Sequence, residues 1–159
     1  MPKLRKAFTL IELLVVIGVL AILLTIVLIA INPARQFSQS NNTKRRSDAN
    51  AILNAIDQYA ADNKGTLPVG ITASALPIKL SNPADPITES NICAALVPTY
   101  LAALPVDPLT NNGVSVTDCT GGVGLTYSTN YTVVKSAANN RITIAAPAAE
   151  LSEVISVTR

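Results

Sequence analysis

The sequence predicts an α+β protein: a long N-terminal α-helix, apolar in its first half and amphipathic in its second, packed on a small C-terminal antiparallel β-sheet. Three observations carry this expectation. Phe8 to Ile31 is a run of 24 residues in which only Thr9, Glu12 and Thr25 bear polar side-chain atoms. Ile52, Ile56 and Tyr59, with Ala49, Ala55 and Ala60, then recur at helical spacing. Beyond residue 124 the chain falls into short, partly alternating apolar segments separated by turn signals.

The first element is long enough to cross a bilayer. A helix over 8–31, at ~1.5 Å per residue, spans about 36 Å, against a hydrocarbon core of about 30 Å. Three readings compete for it. A secretory signal would have a shorter apolar core and a small-x-small cleavage site, and "LIAINPARQ" offers no convincing one. A plain anchor helix leaves Glu12 unexplained, because an intramembrane carboxylate is costly unless paired. The third reading cuts the chain between Ala7 and Phe8. The new α-amino group on Phe8, with a pKa of about 8, is then mostly charged at neutral pH. It stands one helical turn from Glu12, on the same chain or on a neighbour. Glu12 becomes a register pin between packed helices.

"INPARQ" follows. Pro33 lacks an amide hydrogen and pushes Asn32 away from the α region, so a kink or break is expected there, with helix resuming at Ala34. Gly18 is a second weak point or a close-packing spot. The helix ends at "NKGTLP", where Gly65 suits the C′ position and Pro68 follows. "KRR" at 44–46 reads as a solvated face, or as a contact with acidic neighbours such as Asp48. Three charges neutralise too few phosphates for nucleic acid to be the expected partner.

Residues 66–108 hold seven of the ten prolines and read as a loop-rich connector with one short helix, for which Ser90 is placed to cap a turn over 91–97. "LTYSTNYTVVK", "RITIA" and "VISVT" read as strands, pairing Tyr131 with Val133, Ile142 with Ile144, and Ile155 with Val157 on one face. They give an antiparallel sheet of three or four strands over about 124–159. The organisation expected is therefore a leader over 1–7, a membrane or assembly helix over 8–31, an amphipathic half over 32–65, and a head over 66–159.

Charge and composition limit the chemistry. The formal charge of +2 divides into +4 over residues 1–64 and −2 over 65–159, so the basic character belongs to the N-terminal half. The chain contains no histidine. That removes Ser–His–Asp and Cys–His catalysis and most zinc sites. No catalytic residues are expected, and no enzyme. Cys93 and Cys119 are the whole thiol inventory. In a small domain beyond a membrane segment they suggest one disulfide in an oxidising compartment; the other reading is two buried free thiols.

"RKAFTLIELLVVIGVLAIL" closely resembles the class III leader and N-terminal helix of type IV pilins and type II secretion pseudopilins. The short basic leader, the small residue before Phe8, the "FTLIELLVVI" run and Glu12 four residues after Phe8 carry the resemblance over residues 3–30. It implies cleavage at Ala7–Phe8 by a prepilin peptidase and N-methylation of Phe8. It also implies pairing of Glu12 with the N-terminus of an adjacent subunit in a helical homo-oligomeric filament. An assembly ATPase and inner-membrane platform proteins are the implied partners, with membrane lipid around the helix before assembly. The implied location is a single-pass inner-membrane protein with its head outside the cytoplasm, and then an extracellular pilus or a periplasmic pseudopilus. Ala7 stands where glycine is usual, and Pro33 lies later than the family's helix-interrupting proline.

"LVPTYLAALPVDPLTNNG" resembles the segment linking helix to sheet in pseudopilins, where a similar Leu-Pro-x-Asp-Pro run occurs. Some pseudopilins bind calcium nearby. Asp107 and Asp118, with Asn111 and Asn112, offer oxygen ligands of the right type, although Asp and Asn favour turns anyway and no EF-hand spacing is present. No cofactor is expected, calcium being the one alternative. The leading reading is a type IV pilin. A pseudopilin, or a membrane-anchored external binding domain that never polymerises, are the alternatives.

Overall fold

The computed structural model describes residues 8–81, 84–119 and 126–159. The chain divides into two units, residues 1–37 and 38–159.

In the first unit, α1 runs unbroken from Leu10 to Ile31. Gly18 does not interrupt it, and nothing lies near the position a Cβ would occupy there. None of its residues is buried, so the stripe Ile11, Val15, Gly18, Ile22 and its flanks present apolar surface on every side. At 22 residues it has about the length of a bilayer's hydrocarbon core.

The break falls at Asn32, which adopts the left-handed conformation (φ 47°, ψ 78°). The next helix, α2, spans Pro33–Asp62. It starts at Pro33 itself rather than Ala34, because a first helical position has no use for the amide hydrogen that proline lacks. Asn32 serves both helices. It closes α1, and its Oδ1 accepts from Arg35 N at 3.3 Å at the start of α2.

The second unit is built on the apolar stripe of α2. Ala49, Ile52, Leu53, Ala55 and Ile56 are all buried. The sheet they cover has four antiparallel strands in the order β1 (Leu76–Leu80), β2 (Tyr127–Lys135), β3 (Ile142–Ala146) and β4 (Ile155–Thr158). Tyr131, Val133, Ile142, Ile144 and Ile155 point from it into the same core. Three strands fall where the alternation places them. The fourth, β1, comes from within the stretch read as a connector. Its Pro77 is tolerated because the partner of that residue's edge is short: among the described residues only Ser90 bridges to β1 there, donating from its N to Pro77 O at 2.9 Å.

The short helix α3 covers only Cys93–Leu96. Its N-cap is Ile92, without a side-chain bond. Ser90 does not cap it, since its backbone is taken up by β1. The helix α2 ends through Lys64 and Gly65, both at positive φ, with Gly65 N donating to Ala60 O at 2.7 Å.

Candidate assembly site and the buried arginine clamp

Two constellations concentrate the polar chemistry, one in each unit. The first opens α1. Thr9 is the N-cap, and its Oγ1 accepts from Glu12 N at 3.3 Å. Glu12 Oε2 in turn accepts from Thr9 N at 2.8 Å and from Thr9 Oγ1 at 2.7 Å. This is a capping box, which satisfies helix N–H groups reciprocally. Phe8 precedes the cap, lines a shallow cleft with Ile11 and Glu12, and is 86% exposed. Ala7, on the other side of the expected cut, lies outside the described residues. Within one chain the Glu12 carboxylate thus has a local neutral partner. Among the described residues it has no cationic partner, and a cationic amine brought to this turn would find an acceptor already oriented.

The second constellation corrects the reading of "KRR". Only its flanks behave as a solvated face: Lys44 pairs with Asp48 at 2.9 Å, and Arg46 with Glu153. Arg45 is fully buried. Its Nε and Nη2 donate to Asp107 Oδ2 and Oδ1 at 2.6 and 3.2 Å, and its Nη1 donates to Asn42 Oδ1 and Glu150 Oε2, both at 2.9 Å. Asn42 extends the clamp, donating to Glu150 O at 2.8 Å and accepting from Glu150 N at 2.9 Å. The bidentate fork fits arginine and no other cation. The contact with Asp107 raises the Arg45 pKa further. Hydrogen bonds from Asn41, Arg45 and Ser38 hold the Glu150 carboxyl below its ordinary value.

The clamp explains the "LPVDP" run. Asp107 is completely buried. Besides Arg45 it accepts from Leu109 N at 2.9 Å, and its own N donates to Thr129 O at 3.0 Å. One aspartate therefore ties α2, the 104–110 loop and β2 together. Of the two calcium candidates, Asp107 is committed to Arg45. Asp118 lies in the wall of a separate cleft with Asn111. The described residues contain no group of three or more His, Cys, Asp or Glu side chains placed to hold a metal ion.

The two cysteines do come together. Cys93 of α3 and Cys119 form a disulfide with Cα atoms 5.3 Å apart, which anchors the chain after the 3₁₀ turn at Asn111–Gly113 to the core. Sequence reasoning missed the capping box, although Thr-x-x-Glu at 9–12 is its signature. It also missed the burial of Arg45, for which no local signal exists.

Fold and site define a class: an apolar N-terminal helix long enough to cross a membrane, opened by an oriented carboxylate, and a small α+β unit, an arrangement consistent with the pilin fold. The N-terminal segment is more specific. Residues 2–28 match the family model of the prokaryotic N-terminal methylation motif, the class III prepilin leader of type IV pilins and pseudopilins. No curated protein and no solved structure matches the chain.

Proposed function

We propose that the protein is a structural subunit of a type IV pilus or pilus-like filament. It is held in the inner membrane as a prepilin, cut at Ala7–Phe8 by a prepilin peptidase, methylated on Phe8, and polymerised through α1. The observation that carries this reading is Glu12: a carboxylate oriented by a capping box in the first turn of a helix with no buried residue, inside the matched methylation motif. An apolar helix that leaves lipid for a bundle of its own kind never meets water, so assembly need not expose it. Heterologous contacts that do not close generate filaments. The Phe8 amine of one subunit meets the Glu12 carboxylate of the next, which offsets a charge otherwise stranded at membrane depth. Force comes from an assembly ATPase acting through inner-membrane platform proteins.

The buried Asp107 of the "LPVDP" run favours a second reading, in which the filament is a periplasmic pseudopilus of a type II secretion system. Intact mass and N-terminal sequencing of membrane and sheared-surface fractions test the first reading. A chain beginning at methylated Phe8 in sheared filaments supports it. The same processed chain confined to the periplasm favours the pseudopilus. A chain beginning at Met1 and found only in membranes refutes both, and leaves an anchored external domain.

A further inference from the structure

We propose that the outer edge of β4 is a self-pairing site, which joins antiparallel with β4 of a second copy of the head. β4 is the last strand of the sheet. Arg159 exchanges both backbone bonds with Ile142, and Val157 and Ile155 stand opposite Ile144 and Ala146. Antiparallel alternation therefore turns the N–H and C=O groups of Ser156 and Thr158 away from β3. They meet no partner among the described residues, and both residues are exposed. The opposite edge of the sheet is guarded, since β1 carries Pro77 and is bridged by Ser90. β4 lacks such guards. "VISVT" over 154–158 contains no proline and no charge, the residues that commonly keep an exposed edge from pairing. Val154, at its start, is 92% exposed.

The edge is also presented rigidly. The turn before it holds Leu151 and Ser152 at φ 58° and 57°, an unfavourable conformation for a bulky residue. Glu153 N donates to Glu150 O at 3.2 Å across it. Arg45 grips Glu150, and Asn42 and Arg46 grip Glu153, so α2 fixes the entry to the strand and little order has to be gained on pairing.

Charge selects the occupant. Glu153 and Arg159 bracket the edge, each three residues from Ser156. An antiparallel pair centred on Ser156 sets that serine against its own copy, Val154 against Thr158, and Glu153 against Arg159. The last is a non-hydrogen-bonded position, where side chains approach most closely. Both groups have atoms to spare: among the described residues Glu153 is engaged only through Oε2, and Arg159 only through Nη1. Arg46 accompanies Glu153, and Asp57 accompanies Arg159. Each end of the pair therefore gathers one cation and one carboxylate from either copy. A parallel pair would instead set Glu153 against Glu153 and Arg159 against Arg159. The contact is isologous and closes on itself, so it does not propagate a filament. In a protein that polymerises through α1, it joins a head of one filament to a head of another.

The competing explanation is that a strand of four residues is too short to recruit a partner. Disulfide trapping of the full chain in neutral detergent micelles separates the two, without requiring filament assembly. Ser156→Cys places two thiols on Cα atoms about 5.5 Å apart in the centred register, within disulfide reach. Ser128→Cys, exposed on β2, measures random collision. Under mild oxidation Ser156→Cys should give the covalent dimer at least tenfold faster than Ser128→Cys. Added to Ser156→Cys, Thr158→Pro removes an N–H that β3 does not use, and should bring the rate down to that of the control. Glu153→Arg or Arg159→Glu in the same background should each slow trapping by about fivefold or more, the factor of an exposed ion pair at its strongest. The two together should restore it, which damage to the fold cannot do. The inference is overturned if Ser156→Cys traps no faster than Ser128→Cys, if Thr158→Pro leaves the rate unchanged, or if the double swap is no better than either single one. Trapping of a different protein from the host's sheared fraction, with no self-dimer, overturns it equally and gives the edge to a foreign strand.

Discussion

Replacing Arg45 by methionine removes the guanidinium and keeps most of the side chain's volume. The structure sets the size of the effect. Four hydrogen bonds disappear, to Asp107, Asn42 and Glu150. Asn42 keeps its Glu150 backbone partners, and Glu150 keeps Ser38 and Asn41. Asp107 is different. It is fully buried and, among the described residues, its carboxylate retains only the Leu109 N–H. Breaking a buried ion pair from one side costs about 3–5 kcal/mol, because the remaining charge has no compensation. For a head of this size that corresponds to a fall in Tm of roughly 10–20 °C. Thermal unfolding of the full chain in detergent, followed by near-UV circular dichroism, reads it. Adding Asp107→Leu should restore much of the loss, since an apolar replacement of both partners is often close to neutral. A single variant that loses less than about 1 kcal/mol, the range of an exposed pair, would refute the clamp. So would a double variant no better than the single.

Other outcomes follow from the same geometry. Glu12→Ala should leave the protein in the membrane but abolish filament assembly, seen as loss of the subunit from the sheared fraction; normal filaments would sink the assigned role of Glu12. Joint Cys93→Ser/Cys119→Ser substitution releases a loop closed over a separation of 26 residues, and should cost about 3–4 kcal/mol in denaturant unfolding. Glu150 titrates below its ordinary 4.5 in the folded head, chiefly through Asn41, Arg45 and Ser38. Its contribution is therefore complete above that value and is lost as pH falls through the folded pKa. Glu150→Gln should flatten that part of the acid-unfolding curve, and an unchanged slope would contradict it. With Asp107 held by Arg45, millimolar calcium or EDTA should leave the Tm where it is; a calcium-induced rise of several degrees would support an ion site that uses Asp118 instead.

Much of this protein was legible in one dimension. The apolar run of α1, the break before Pro33, the Ala49–Ile56 stripe of α2 and the β2, β3 and β4 segments are each patterns of period or punctuation, and local sterics and burial read such patterns directly. Glu12 was legible because a lone carboxylate in an apolar helix is conspicuous. Its partner Thr9 lay three residues away and could have been named from the Thr-x-x-Glu spacing. What the sequence did not display was anything whose meaning depends on distant chain. β1 contains Pro77 and has no clean alternation; it is a strand because β2 pairs with it, Leu76 opposite Val133 and Leu80 opposite Tyr127. Arg45 looks the same on paper as Lys44 and Arg46. Only the fold brings in Asp107 and Glu150, from 62 and 105 residues away, and turns the middle cation into a buried fork while its neighbours stay in water. The physical reason is that periodicity is a local property of the backbone. The partner of a buried charge is fixed instead by loop closure and packing across the whole head.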